Sequence, residues 1–147
     1  LYVTGKNYFD EFKKMKYTNN IKIVPYVDKM VSLLKKTDCL VSRAGASTLS
    51  EISSLNVPSI LIPSPYVTEN HQYKNAMDLA CKNAALILEE KKLEGDELLR
   101  LVEKILNDKI FTRKLKDNLK KFEVKNSASR IYDEIVKLVG DKDARHN

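Results

Sequence analysis

Two stretches of the chain carry residue types suited to holding a phosphorylated sugar. The first is Leu40-Val41-Ser42-Arg43-Ala44-Gly45-Ala46-Ser47-Thr48-Leu49-Ser50-Glu51-Ile52. An apolar run ends near Ser42, small residues follow, and a helix is predicted to start near Ser47 or Thr48. The first turn of a helix has unpaired N–H groups and a partial positive charge, and both favour phosphate. Gly45 and Ala46 leave room for a phosphate to approach the backbone, and Ser47 and Thr48 add hydroxyl donors. Glu51 stands one turn further on, on the same side as Ser47 and Thr48. A carboxylate beside bound phosphate makes sense if it accepts hydrogen bonds from a sugar diol, as acidic residues do with ribose in dinucleotide sites. A plainer reading stands beside this one: Thr48-x-x-Glu51 is a capping box, which explains both residues by helix capping alone.

The second stretch is Pro63-Ser64-Pro65-Tyr66-Val67-Thr68-Glu69-Asn70-His71-Gln72-Tyr73-Lys74-Asn75-Ala76. Two prolines stiffen the loop. Gln72 and Asn75 share a helix face and can read sugar hydroxyls, while Thr68 or Asn70 can serve as a simple N-cap. His71 has no carboxylate or nucleophile clearly paired with it, so a role as general base has little support. A third place is Pro25-Tyr26-Val27-Asp28-Lys29-Met30, where backbone groups of Val27 can meet a nucleobase edge. The plain alternative is a turn capped by Asp28.

These stretches need a scaffold, and the apolar pattern supplies one. Strands are predicted at 1–4, 21–26, 39–42, 59–62 and 85–88, short runs of the kind buried on both faces of a parallel sheet. Helices are predicted at 8–14, 29–36, 48–55 and 70–82, with apolar residues at helical spacing. The alternation implies βαβ units, right-handed crossovers and an α/β, Rossmann-like doubly wound parallel sheet. Both chemical stretches follow strands, so both fall at the carboxyl edge, where such sheets bind ligands. After Glu90 only helical stripes remain: Leu98, Leu101, Val102, Ile105 and Leu106; then Leu115, Leu119 and Phe122; then Ile131, Ile135, Leu138 and Val139. The expected organisation is one domain over 1–140 with a polar tail at 141–147.

Composition narrows the field. The length of 147 residues suits one domain. Cys39 and Cys81 form no framework and read as small buried hydrophobes in a reducing cytoplasm. No CxxC, HExxH or His/Cys cluster is present, so no metal site is expected. No apolar run approaches the roughly 20 residues that span a bilayer. The net charge is +6, and seven Lys/Arg between Lys109 and Lys125 face only Asp117 and Glu123. That run reads first as a solvated helix face, with anionic lipid as the alternative. No aromatic residues interleave with it, which argues against nucleic acid. The chain opens on Leu1-Tyr2-Val3-Thr4-Gly5, a strand running into a turn without a leading methionine, and is expected to be a fragment.

SRAGASTLSEI followed by PSILIPSPYVTENHQYKNA resembles the carboxyl-terminal domain of the MurG-type family of GT-B glycosyltransferases. The resemblance runs from about Val3 to the last helix, and the two motifs at their separation of roughly 20 residues are far more specific together than alone. It implies two Rossmann-like domains with an active site in the cleft between them. The implied reaction is transfer of N-acetylglucosamine from UDP-N-acetylglucosamine to undecaprenyl-pyrophosphoryl-N-acetylmuramyl-pentapeptide, the lipid I to lipid II step of peptidoglycan synthesis. By position, Val27 would contact uracil through its backbone. Ala46, Ser47, Thr48, Leu49, Ser50 and Glu51 would line the donor site, with Glu51 on the ribose hydroxyls, and Gln72 would touch the N-acetylglucosamine ring. Arg43 is expected to be a brace. The family needs no cofactor beyond the donor substrate, and works peripherally on the cytoplasmic face of the membrane.

Departures from the family pattern set limits. The amino-terminal domain, with its glycine-rich loop and proposed histidine base, is absent from this sequence, as are the strand, glycine-rich turn and helix that open the family's carboxyl-terminal domain. No catalytic residue is therefore assigned here, and this piece alone is expected to be inactive. Three other readings remain. A related GT-B glycolipid glycosyltransferase or a UDP-N-acetylglucosamine epimerase is one, although an epimerase should show more acid/base residues. A non-catalytic UDP-sugar-binding subunit is another, although it should begin with its own glycine-rich strand. A Rossmann-like domain that binds no sugar nucleotide is the third.

Overall fold

A computed structural model describes residues 1–93, 96–123 and 127–143. The chain divides into two compact units, 1–37 and 38–147.

The first unit holds β1 (Tyr2–Val3), α1 (Phe9–Lys13), β2 (Ile23–Val24) and α2 (Met30–Leu34). β1 and β2 are parallel, with Tyr2 opposite Ile23 and Val3 opposite Val24. The Tyr2 ring meets Phe12 edge-on at 5.3 Å, which ties α1 to β1. Gly5, at φ +78°, takes the chain out of β1 through a left-handed turn. The elements match the predicted order but are shorter, and Leu34 is the unit's one buried hydrophobic residue. Asp28 does not cap α2: the helix begins after Lys29 with no side-chain cap.

The second unit holds β3 (Leu40–Ser42), α3 (Ala46–Leu55), β4 (Ser59–Leu61), α4 (His71–Ala80), β5 (Leu86–Ile87), α5 (Glu97–Asn107), α6 (Lys109–Leu119) and α7 (Ser127–Asp143). Its sheet runs β3-β4-β5, parallel throughout. The alternation of side chains along β4 sorts the core into two layers. Leu61 joins Ile52, Ala76, Leu79 and Leu119 on the side of α3 and α4. Ile60 and Ile62 join Leu88 and Ile105 on the side of α5. Helices on both faces of a parallel sheet are the doubly wound arrangement that the sequence predicted. Ile60 and Leu61 are each 0% exposed, and each contributes about 2 kcal/mol by burial.

Local chemistry sets the ends of α3. It stops at Asn56, which sits at φ 55°, while the N–H of Val57 returns to the Ile52 carbonyl at 3.1 Å. This left-handed stop lets the chain reverse into β4. The stripe on α7 is helical as predicted, yet Ile131, Ile135, Leu138 and Val139 are each more than half exposed. Of the expected polar tail, 141–143 continues α7, and 144–147 lies outside the described residues.

Candidate functional site

α3 begins at Ala46, three residues before the capping box, with Thr48 as its N-cap, would start it. Gly45 is the N-cap, extended at φ −70° and ψ 148°, and it has no side chain with which to cap. The capping-box reading of Thr48 and Glu51 therefore fails, because Thr48 already lies in the third helical position. Leu49 is the first residue whose N–H finds a helical acceptor, the Gly45 carbonyl at 3.0 Å. The N–H groups of Ala46, Ser47 and Thr48 are left without partners among the described residues. Ala46 and Ser47 are exposed, so this helix start faces open space and not a plug of side chains. An uncapped helix start of this kind has the geometry and the dipole that favour an anion.

Glu51 is exposed and has no ion pair or hydrogen bond among the described residues. Its carboxylate is free to accept hydrogen bonds from a diol one turn behind the helix start. Leu49 points the other way, against the core beside Ile52 and Leu61, so only its backbone belongs to the helix opening. Ser50 is exposed and lines a groove between α3 and α4 with Ser53, Asn75 and Asp78.

The loop from Ser42 to Gly45 is held from three directions. Ala44 is fully buried. Its carbonyl accepts a hydrogen bond from Asn75 Nδ2 at 3.2 Å, which joins α4 to the loop. Asn75 thus acts as a strut between α4 and the loop through one amide N–H. Arg43 is the expected brace: its guanidinium donates to the Ile62 carbonyl at 3.3 Å and ion-pairs with Glu90 beyond β5. One side chain spans the carboxyl ends of all three strands. Glu90 was missed in the sequence, since nothing local links it to a residue 47 positions away.

Gln72 lies in the first turn of α4, and its Oε1 accepts the Ser64 N–H at 2.9 Å. This bond orients the amide and leaves its NH2 group free to donate. Glu69 and Asn70 both adopt positive φ, 53° and 56°, so the chain enters α4 through a sharp turn and neither Thr68 nor Asn70 caps the helix with its side chain. A cavity of about 300 Å³ adjoins Ser64, bounded also by Pro63, Asn70, Tyr73, Glu89 and Lys91. The hydrogen bond from Lys91 holds Glu89 below the ordinary carboxylate value, so it stays ionised. Among the described residues His71 pairs only with Glu69, at 3.4 Å on the open surface.

The second unit therefore brings Ala46–Glu51 and Gln72 to one edge of one sheet. Val27 belongs to the first unit, in the segment between β2 and α2, where it is half-buried. Among the described residues no group of three or more His, Cys, Asp or Glu side chains could hold a metal ion.

The glycosyltransferase family 28 C-terminal domain matches residues 1–131. The chain belongs to that family. A family 28 relative from Bacillus licheniformis is 40% identical over 142 residues, covering 94% of this chain and 39% of its own length. One from Bacillus cereus is 41% identical over 143 residues, covering 95% and 39%. Both are named UDP-N-acetylglucosamine–N-acetylmuramyl-(pentapeptide) pyrophosphoryl-undecaprenol N-acetylglucosamine transferase. The family 28 domain described here thus spans about two-fifths of the length of these relatives. Among solved structures it is similar to MurG of Acinetobacter baumannii (TM-score 0.79, 22% identity, 92% of this chain and 42% of that one). It is also similar to the glycosyltransferase VinC in complex with dTDP (TM-score 0.76, 19% identity, 90% and 32%). At those identities the likeness establishes the Rossmann-like GT-B fold.

Proposed function

We propose that this domain holds the donor in a UDP-N-acetylglucosamine transferase that converts lipid I to lipid II. The observation that carries the reading is the uncapped start of α3, with three free backbone N–H groups and an unpaired Glu51 on the same side. The diphosphate sits on Ala46, Ser47 and Thr48, with Ser50 at the margin and Leu49 contributing backbone alone. Glu51 accepts the ribose hydroxyls, the free amide of Gln72 donates to the hexose, and Val27 offers its backbone to uracil. The cavity beside Ser64, whose N–H Gln72 holds, gives a pyranose ring room.

The chemistry is an inverting displacement. An acceptor hydroxyl attacks the anomeric carbon, the bond to the β-phosphate oxygen breaks, and the electron pair leaves with UDP. Negative charge grows on the diphosphate, where fixed N–H dipoles stabilise it without reorganising. Each well-placed donor is worth about 3 kcal/mol by analogy with oxyanion holes. No residue here is assigned as the base, which falls to the remainder of the protein, as does the acceptor. The setting proposed for the whole protein is the cytoplasmic face of the membrane; among the described residues no helix is long and apolar enough to cross it.

Calorimetry with UDP, UDP-N-acetylglucosamine, UDP-glucose and NAD tests the reading. UDP and UDP-N-acetylglucosamine should bind and NAD should not. Glu51→Ala should weaken UDP by about 1–3 kcal/mol through loss of charge-assisted hydrogen bonds. Normal UDP binding by that variant removes the ribose assignment, and no UDP binding by the parent removes the whole reading.

A further inference from the structure

The groove between α3 and α4 has a volume of about 430 Å³, within the size range of small-molecule sites, and the donor reading gives it no occupant. It begins one turn past the starts of the two helices and ends at Phe122, in the short turn after α6. Buried Leu79 and half-buried Leu49 form its floor, and Ser53, Asn75, Asp78 and Lys82 present polar groups to it.

These polar groups lack partners within the molecule. Ser53 is 7% exposed, and the part that stays open faces the groove. Its hydroxyl bonds to nothing among the described residues, which is costly for a buried group until a ligand supplies the bond. Asn75 gives one amide N–H to the Ala44 carbonyl, and its Oδ1 accepts nothing among the described residues. Asp78 and Lys82 stand four residues apart, in the order that favours an ion pair along a helix, yet they do not pair. Lys82 lies instead over the Phe122 ring, with Nζ 4.7 Å from its centroid. Asp78 has no hydrogen bond or ion pair among the described residues. Opposite charges are thus held apart in one groove, with an open hydroxyl and an open amide oxygen beside them.

We propose that this groove binds a dipeptide with free termini. The ligand's ammonium donates to Asp78 and to Asn75 Oδ1, its peptide carbonyl accepts from the Ser53 hydroxyl, and its carboxylate meets Lys82. Length selects a dipeptide over a single amino acid. Four residues of helix rise about 6 Å, and two extended residues span about 7 Å, whereas the two charges of one amino acid share a carbon. A neutral sugar would satisfy Asp78 and Ser53 but leave Lys82 without a counter-charge. The inference does not rest on the donor reading, because the groove lies along the flanks of the helices and its ligand is not a nucleotide.

The test is calorimetry of the 147-residue chain at low salt with glycylglycine, glycine, N-acetylglycylglycine, glycylglycinamide and glucose. Glycylglycine should bind saturably. Glycine and the two capped peptides should each bind at least about tenfold more weakly, because each forfeits a charge-assisted hydrogen bond. Asp78→Asn and Lys82→Met should each weaken glycylglycine by at least about tenfold, and Lys82→Arg should bind like the parent. Both positions are exposed, so circular dichroism should be unchanged in every variant. UDP titrated alongside reports on the donor site separately, so failure of either reading leaves the other standing. Four results each overturn the proposal: no saturable binding of glycylglycine, equal binding of the capped peptides, undiminished binding by Asp78→Asn or Lys82→Met, or tighter binding of glucose.

Discussion

Residues 1–37 and residues 38–93 repeat the same strand–helix alternation, yet they are built to different standards. In the second stretch β4 is wholly buried and the loops at its carboxyl end are anchored by Arg43, Asn75 and Gln72. In the first, both strands have two residues, and Tyr2, Val3, Tyr8, Met15, Ile21 and Tyr26 are all at least two-fifths exposed. A two-stranded parallel sheet has too little apolar burial to stand by itself. The difference teaches where preorganisation resides. The proposed phosphate, ribose and hexose contacts hang on a rigid frame, whereas the proposed base contact at Val27 hangs on a weak one.

The largest effect that separates the two regions is on stability. Ile60→Ala should cost about 2–5 kcal/mol, because it empties a site with no exposure between packed layers. Val24→Ala, at a half-buried strand position, should cost about 1 kcal/mol or less. Denaturant melts of the two variants measure this directly. Equal costs would mean that the first unit is as well built as the second, and the contrast would fail. Native-state hydrogen exchange sharpens the same point: the Val57 amide should exchange far more slowly than the Tyr2 amide, although both are hydrogen-bonded.

Next in size is an effect on binding with none on folding. Gly45 has an ordinary extended backbone, and a Cβ there would meet only Thr48 Oγ1, at 3.7 Å. The fold therefore accepts Gly45→Ala. What the methyl group fills is the approach to the free N–H groups of α3. UDP affinity should fall by about tenfold, roughly 1.4 kcal/mol, while the denaturation midpoint stays put or rises slightly. A variant that binds UDP like the parent would show that nothing comes close to this backbone.

The pattern of what the sequence revealed follows from the range of each interaction. Strand and helix order was legible because periodicity is local, and the places where Ser42, Ile62 and Tyr26 end their predicted runs located the edge, although β2 itself stops at Val24. The start of α3 was misread because Thr48 and Glu51 have the side chains of a capping box. The true cap, Gly45, offers only backbone, which residue type does not advertise. The commitment of Asn75 to the Ala44 carbonyl and of Arg43 to Glu90 spans 31 and 47 residues, and no local pattern encodes such partners. Cys81 was read as buried because it extends the helical stripe of α4. It is exposed because α4 ends at Ala80 and the chain turns away there.

The two cysteines give the smallest and most direct check on how tightly the second unit is packed. Burial, with a smaller contribution from the Asp38 charge, pushes the Cys39 thiol up from 9.0 to about 11, whereas Cys81 lies open to solvent. A thiol reagent at pH 8 should modify Cys81 first and reach Cys39 only slowly, because the thiolate is the attacking species. The same shift acts on stability with a definite sign. Between about pH 9 and pH 11 the unfolded chain has lost the Cys39 proton while the folded chain still holds it. The folded state then binds more protons, and stability falls as pH rises through that window. Cys39→Ala should flatten part of that decline, and Cys81→Ala should leave it unchanged. If both variants decline like the parent, Cys39 titrates as an open thiol, and the amino end of β3 is as loosely built as β1.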